Sequence, residues 1–140
     1  MSVKTYNPAD VSIIFAGIPI EGIADGTFVT VARNNPSYNM SIGSDGEGVR
    51  AKSNDRGGTV TLTLMQSSVS NDALSAVSLL DEASGDGIGP LLVKDNSGRT
   101  ICGAETAWIQ KPADSEFARE ATTREWVFET DLLDVFIGGN

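Results

Sequence analysis

Along most of the chain, apolar and polar residues alternate one by one. The clearest run is residues 58–66, Gly-Thr-Val-Thr-Leu-Thr-Leu-Met-Gln. Here Val60, Leu62 and Leu64 fall on one face and Thr59, Thr61 and Thr63 on the other. A period of two, with β-branched residues, predicts a half-buried strand. The same pattern predicts strands at 11–16, 27–33, 38–42, 91–95, 100–110 and 123–130, and a last extended piece at 132–137. Residues 11–16 are nearly all apolar, which predicts a strand covered on both faces. Pro19 lies in a short extended piece at 18–23. It cannot donate to a ladder, so this piece belongs at an edge or bulge. Tyr38, Met40 and Ile42 share one face of their strand. Trp126 and Phe128 share a face of theirs, with Val127 between Glu125 and Glu129 on the other. Asp25-Gly26 and Asn96-Ser97-Gly98 read as turns.

The alternation breaks in two places. At 70–83 the spacing changes to that of a helix, with Ala73, Leu74, Val77 and Leu80 as the buried stripe and Ala76 at its border. Ser70 reads as its N-cap and Asp72 sits in the first turn, where the helix dipole favours an anion. Val69 and Leu74 are spaced for a hydrophobic staple, and Gly85 ends the helix. At 43–57 the pattern disappears altogether. This stretch is rich in glycine, carries both charge signs and has almost no apolar anchor. Some fifteen structureless residues are uncommon inside a compact domain. They form either a loose hairpin tip or an arm that orders against a partner, for which mixed charge suits a complementary surface on another copy. Residues 111–120 read as a connection or one short helical turn.

A length of 140 residues predicts a single domain spanning 1–140. A chain of this size buries roughly two-thirds of its unfolded surface. The charge is unusual: 10 Lys and Arg against 19 Asp and Glu, for a net −9. That balance argues against binding phosphates. The chain has no histidine, and so lacks the commonest general base and zinc ligand. Cys102 is the one cysteine and cannot form an internal disulfide. The first residues lack a signal peptide's apolar run, and no apolar segment is long enough to span a bilayer. The expectation is synthesis in the cytoplasm without export of the subunit by itself.

Catalytic, cofactor and metal sites are all read as absent. No histidine can activate a serine, and no Ser-x-x-Lys occurs. Cys102, mid-strand, reads as an inert buried thiol. The acidic run at 81–87 lacks the ligand spacing of a calcium loop. Gly46, Gly48, Gly57 and Gly58 lack the following Gly-Lys-Ser/Thr of a phosphate loop. The tryptophans and Tyr38 could stack on a sugar, although aromatics at strand spacing are more often core.

Three blocks of sequence carry a resemblance. The first is 11–31. The second is 43–50 with 54–74, and the third is 126–130 with 133–140. Together they resemble the tail tube proteins of contractile-tailed bacteriophages, whose architecture the type VI secretion tube protein shares. The resemblance is one of pattern and order, over almost the whole chain. It implies a mainly β fold, a two-sheet β-sandwich or barrel with one flanking helix (about 70–83) and a long hairpin arm (about 44–57). It implies hexameric rings stacked into a tube, with inner sheets joined into a continuous barrel around a channel that passes DNA. It also implies partners beyond further copies of the chain: a contractile sheath protein, a baseplate, a tail terminator and a tape measure protein. The arm would reach the next ring through Ser44, Asp45, Glu47, Arg50, Lys52, Asn54, Asp55 and Arg56. Strand parity offers Asn39, Ser41, Thr59, Thr61, Thr63, Glu125 and Glu129 as channel-lining candidates, without deciding which polar face looks inward. An acidic wall would let DNA slide without sticking. Two other readings remain open: a secretion-type tube that passes effectors, and a monomeric carbohydrate-binding β-sandwich with exposed aromatics.

Overall fold

The computed structural model describes residues 3–139. A short 3-10 turn at Pro8–Asp10 leads into β1 (Val11–Phe15) and β2 (Ile18–Pro19). There follow β3 (Val29–Arg33), β4 (Tyr38–Ile42), β5 (Gly48–Lys52), β6 (Gly58–Met65), α1 (Ser70–Ser84), β7 (Gly89–Asp95), β8 (Ile101–Lys111), β9 (Thr123–Thr130) and β10 (Asp134–Phe136). Eight of these strands form one sheet in the order β2-β1-β7-β8-β9-β6-β3, with β10 also pairing to β8. All of its pairings are antiparallel. The remaining two, β4 and β5, pair only with each other.

The protein is therefore mainly β, with two sheets and one α-helix. The two layers expected of a sandwich are halves of a single hydrogen-bonded sheet that curls over itself. The ring of Phe15 on β1 lies 4.8 Å from that of Phe128 on β9, although β7 and β8 separate those strands in the sheet. Val29 and Val31 of β3 line one hollow with Val11 and Val93, which come from the other end of the sheet order. Curling hides one face of every long strand. On β6 burial alternates residue by residue, with Val60, Leu62 and Leu64 inside and the threonines only half-covered. Trp126 and Phe128 of β9 are inside as expected, and the observed limits of β9 match the alternation at 123–130. On β1, Ile13 and Phe15 are buried, whereas Ser12 and Ile14 are half-buried. This strand is not covered on both faces. Fully hiding one such apolar side chain contributes about 1.5–3 kcal/mol.

The helix closes one end of the curl through fewer residues than its sequence suggests. Leu74 is completely buried and Val77 packs against the core, but Leu80 is half-exposed and Ser78 is buried instead. Ser70 is not the cap. Val69 occupies that position without a side-chain cap bond. The Ser70 hydroxyl instead accepts the Glu21 backbone N–H at 2.8 Å, while Ser68 Oγ accepts the Ser70 N–H at 3.2 Å. The staple also fails, because Val69 points to solvent while Leu74 is buried. A polar contact adds to the buried Leu74 in tying the helix down: the Trp126 indole N–H donates to Asn71 Oδ1 at 3.0 Å. Gly85 ends the helix in the left-handed conformation at φ 76°, as expected of glycine there.

The stretch at 43–57 is not structureless. Residues 48–52 form β5, which pairs with β4 from Tyr38↔Lys52 to Ile42↔Gly48. The projecting element thus starts at Tyr38 and is a ribbon. Both of its strands are exposed throughout, so Tyr38, Met40 and Ile42 share a face that meets no core.

Candidate assembly surfaces

One outer face of the curled sheet gathers most of the polar candidates. In an antiparallel sheet, directly paired residues point to the same side. Register pairs Thr59 with Glu129, Thr61 with Val127 and Thr63 with Glu125. On the other side of β6 it pairs Thr30 with Thr61 and Ala32 with Thr59, and beyond β9 it pairs Trp108 with Glu129. The face is a polar plate of threonines and two carboxylates, continuous across β9, β6 and β3. Thr59 Oγ1 donates to Asn34 Oδ1 at 2.8 Å. Lys111, which a bulge brings opposite Val127, is held by Asp114 at 3.6 Å. Asn39 and Ser41 are not on this plate. They lie on β4, in the ribbon. Val127 is on it, as the alternation of β9 implied, and so are Thr30 and Trp108, which only the pairing of distant strands places there.

The ribbon divides into tip, shaft and base. Ser44, Asp45 and Glu47 form the tip, where Gly43 N donates to Glu47 O at 2.8 Å and Asp45 Oδ1 accepts the Glu47 N–H at 3.1 Å. Arg50 and Lys52 lie on the shaft, opposite Met40 and Tyr38. The Arg50 guanidinium sits 4.0 Å over the Tyr38 ring, a cation–π contact. Residues 54–56 form the base. Asp55 accepts from Asn35 Nδ2 and from Gly57 N, and Arg56 Nη2 pairs with Asp134 at 3.2 Å. The Leu133 N–H donates to Arg56 O at 2.8 Å. Asp55 and Arg56 thus fasten the ribbon to its own body. β2 and β3 end the sheet order; the edge of β3 is open to a further strand, whereas β2 is two residues long and carries Pro19, which cannot donate.

Cys102 is buried, and loss of solvent raises its thiol pKa. Among the described residues, no group of three or more His, Cys, Asp or Glu converges to hold a metal ion, and no helix is long and apolar enough to cross a membrane. Trp126 is buried and so poorly placed to stack on a sugar, whereas Tyr38 is 44% exposed with Arg50 over one face of its ring.

The description of the Bacteriophage PhiTE tail tube protein family matches residues 12–138. The chain belongs to this phage tail tube family. Structural protein ORF10 of Pseudomonas phage KPP10 is 31% identical over 145 residues, covering 98% of this chain and 84% of that protein. The tube-terminating cap of the anti-feeding prophage shares the fold, with a TM-score of 0.58 and 7% identity over 97% of this chain and 94% of that one. This tail tube family is one of structural virion components rather than of enzymes.

Proposed function

We propose that this tail tube subunit forms hexameric rings that stack into a hollow tube, with the threonine-and-glutamate plate of β9, β6 and β3 lining the channel. DNA then passes a wall that repels phosphate and whose Lys111 is already paired with Asp114. The observation that carries this reading is the plate itself. Thr59, Thr61, Thr63, Glu125 and Glu129 share one face, opposite the core, in a chain of net charge −9. The free edge of β3 suits closure of a ring by strand pairing between copies, which removes an edge that otherwise drives uncontrolled association. The ribbon reaches the adjacent ring, and its glycines make ordering costly until a partner holds it. In the virion the tube carries a sheath outside, a tape measure protein inside, and a baseplate and terminator at its ends. The subunit is made in the host cytoplasm. Negative-stain microscopy of purified protein at high concentration should show rings or tubes with a central channel. A strictly monomeric sedimentation profile with no such particles overturns the proposal.

A further inference from the structure

The ribbon and the helix end lie at opposite ends of β6. Gly58, where the chain returns from the ribbon, is its first residue and Met65 its last, about 23 Å away at strand rise. At the Gly58 end stand Arg33 and Thr130, its two register partners. At the Met65 end stand Thr123, the start of α1 and the connection 112–122, which Gln66 holds by bonds to Thr122.

Each end carries exposed apolar residues that its own chain does not cover. On the ribbon, Met40 is 70% exposed and Ile42 64%, and they share their face with Tyr38, Arg50 and Lys52. At the helix end, Phe117 is 81% exposed and Val69 68%, and Met65 is also exposed. All three lie at this same end of the sheet. Asn71 Nδ2, two residues beyond Val69, donates to Met65 O at 3.0 Å, and the Arg124 guanidinium sits 5.4 Å from the Phe117 ring. Their charges differ. The shaft of the ribbon contributes Arg50 and Lys52, whereas residues 112–122 hold Glu116 and Glu120 against Arg119, with Asp114 paired to Lys111, Arg124 beside Phe117, and Asp72 nearby in the first turn of α1.

We infer that the Tyr38–Met40–Ile42 face of the ribbon docks on the Met65–Val69–Phe117 patch of a second copy of this chain, with Arg50 and Lys52 set against Glu116 and Glu120. The inference rests on the stacking proposed above and adds which surface receives the arm. Copies related by translation along a tube meet head to tail, so the two surfaces must differ and must lie at opposite ends of the subunit. These two do, and they are complementary in charge as well as apolar. An apolar contact rimmed by opposite charges also fixes register and disfavours the reversed orientation, which would set the Arg50–Lys52 faces of two ribbons against each other.

The test joins Met40→Cys with Phe117→Cys. Cys102 is buried and stays out of the reaction. Oxidised assemblies of the double variant should give a ladder of covalent multimers on non-reducing gels, and each single variant should not. Independently, Arg50→Glu with Lys52→Glu should shorten tubes by about tenfold or more, the effect of roughly 1.4 kcal/mol per contact. Adding Glu116→Lys and Glu120→Lys should restore length. Wild-type tubes without either the ladder or the restoration overturn the docking while leaving the tube reading intact. A wild-type protein that forms no rings or tubes overturns both.

Discussion

Gly58 shows how narrowly one residue can be constrained. A methyl group there would run into the Leu133 side chain and come within 2.9 Å of Ala32 O. Leu133 is 1% exposed and its carbonyl accepts from Arg33 Nε at 3.1 Å. Gly58→Ala should therefore cost about 1–3 kcal/mol through overpacking, seen as a lower melting temperature with unchanged far-UV circular dichroism. Leu74 makes a parallel case, since Leu74→Ala removes the deepest side chain of the helix and should cost about 2–5 kcal/mol. Cys102 gives a pH signature. Its thiol pKa is raised by burial, so its contribution to stability is complete below the ordinary thiol value, roughly 8.5, and is lost as pH rises through the higher folded value. Urea midpoints of the wild type should fall more steeply above that pH than those of Cys102→Ala. The burial of Cys102 and Leu74 was legible in local pattern. The need for glycine at 58 was not, because Leu133 is distant in sequence.

At the scale of elements, the ribbon and the helix show opposite relations between sequence and surroundings. The ribbon contributes no buried side chain, and its strand ends meet at Ser53 N, which donates to Ser37 O at 2.8 Å. Replacing residues 38–52 by a two-glycine bridge should leave the melting temperature within about 3 °C of the wild type, since surface changes away from the core are usually small. The shortened chain should still fold but not lengthen into tubes. Normal tubes from it would remove the arm from the assembly. The helix was legible in its limits, yet its buried face was read too broadly. Leu80 is half-exposed and Leu79 more so, because the curled sheet offers only a narrow seat, filled by Leu74, Ser70 and Ser78. Helical spacing says which residues share a face, but not how much of that face a neighbour covers.

For the whole molecule, the proposed channel wall works by not binding. Thr61 stands mid-plate, between Thr30 and Val127. Thr61→Lys places one cation per subunit there, repeated around every ring. Weak phosphate contacts then add along the tube, because the electrostatic term grows with the number of phosphates neutralised. Tubes carrying Thr61→Lys should bind DNA at low salt, release it at high salt, and slow DNA delivery by phage. Glu129→Lys, on the same plate, should act in the same direction. Tubes of Thr61→Lys that bind no DNA and deliver it at the normal rate would show that the plate faces elsewhere.

The sequence by itself determined the strands, because alternation is a local property of the pleated backbone. It likewise settled the acidity and the placement of Cys102 in the core. It marked residues 43–57 as exceptional but missed β5, since a ribbon with no core face is stabilised by cross-strand pairs rather than by alternation. Only the tertiary structure decided that one sheet curls over itself in place of two stacked sheets. Only register could bring Thr59, Thr61 and Thr63 beside Glu125 and Glu129 while sending Asn39 and Ser41 to the ribbon. Those outcomes depend on which distant strands pair. Pairing is fixed by the burial of one face of the whole sheet at once, a sum that no local window of residues contains.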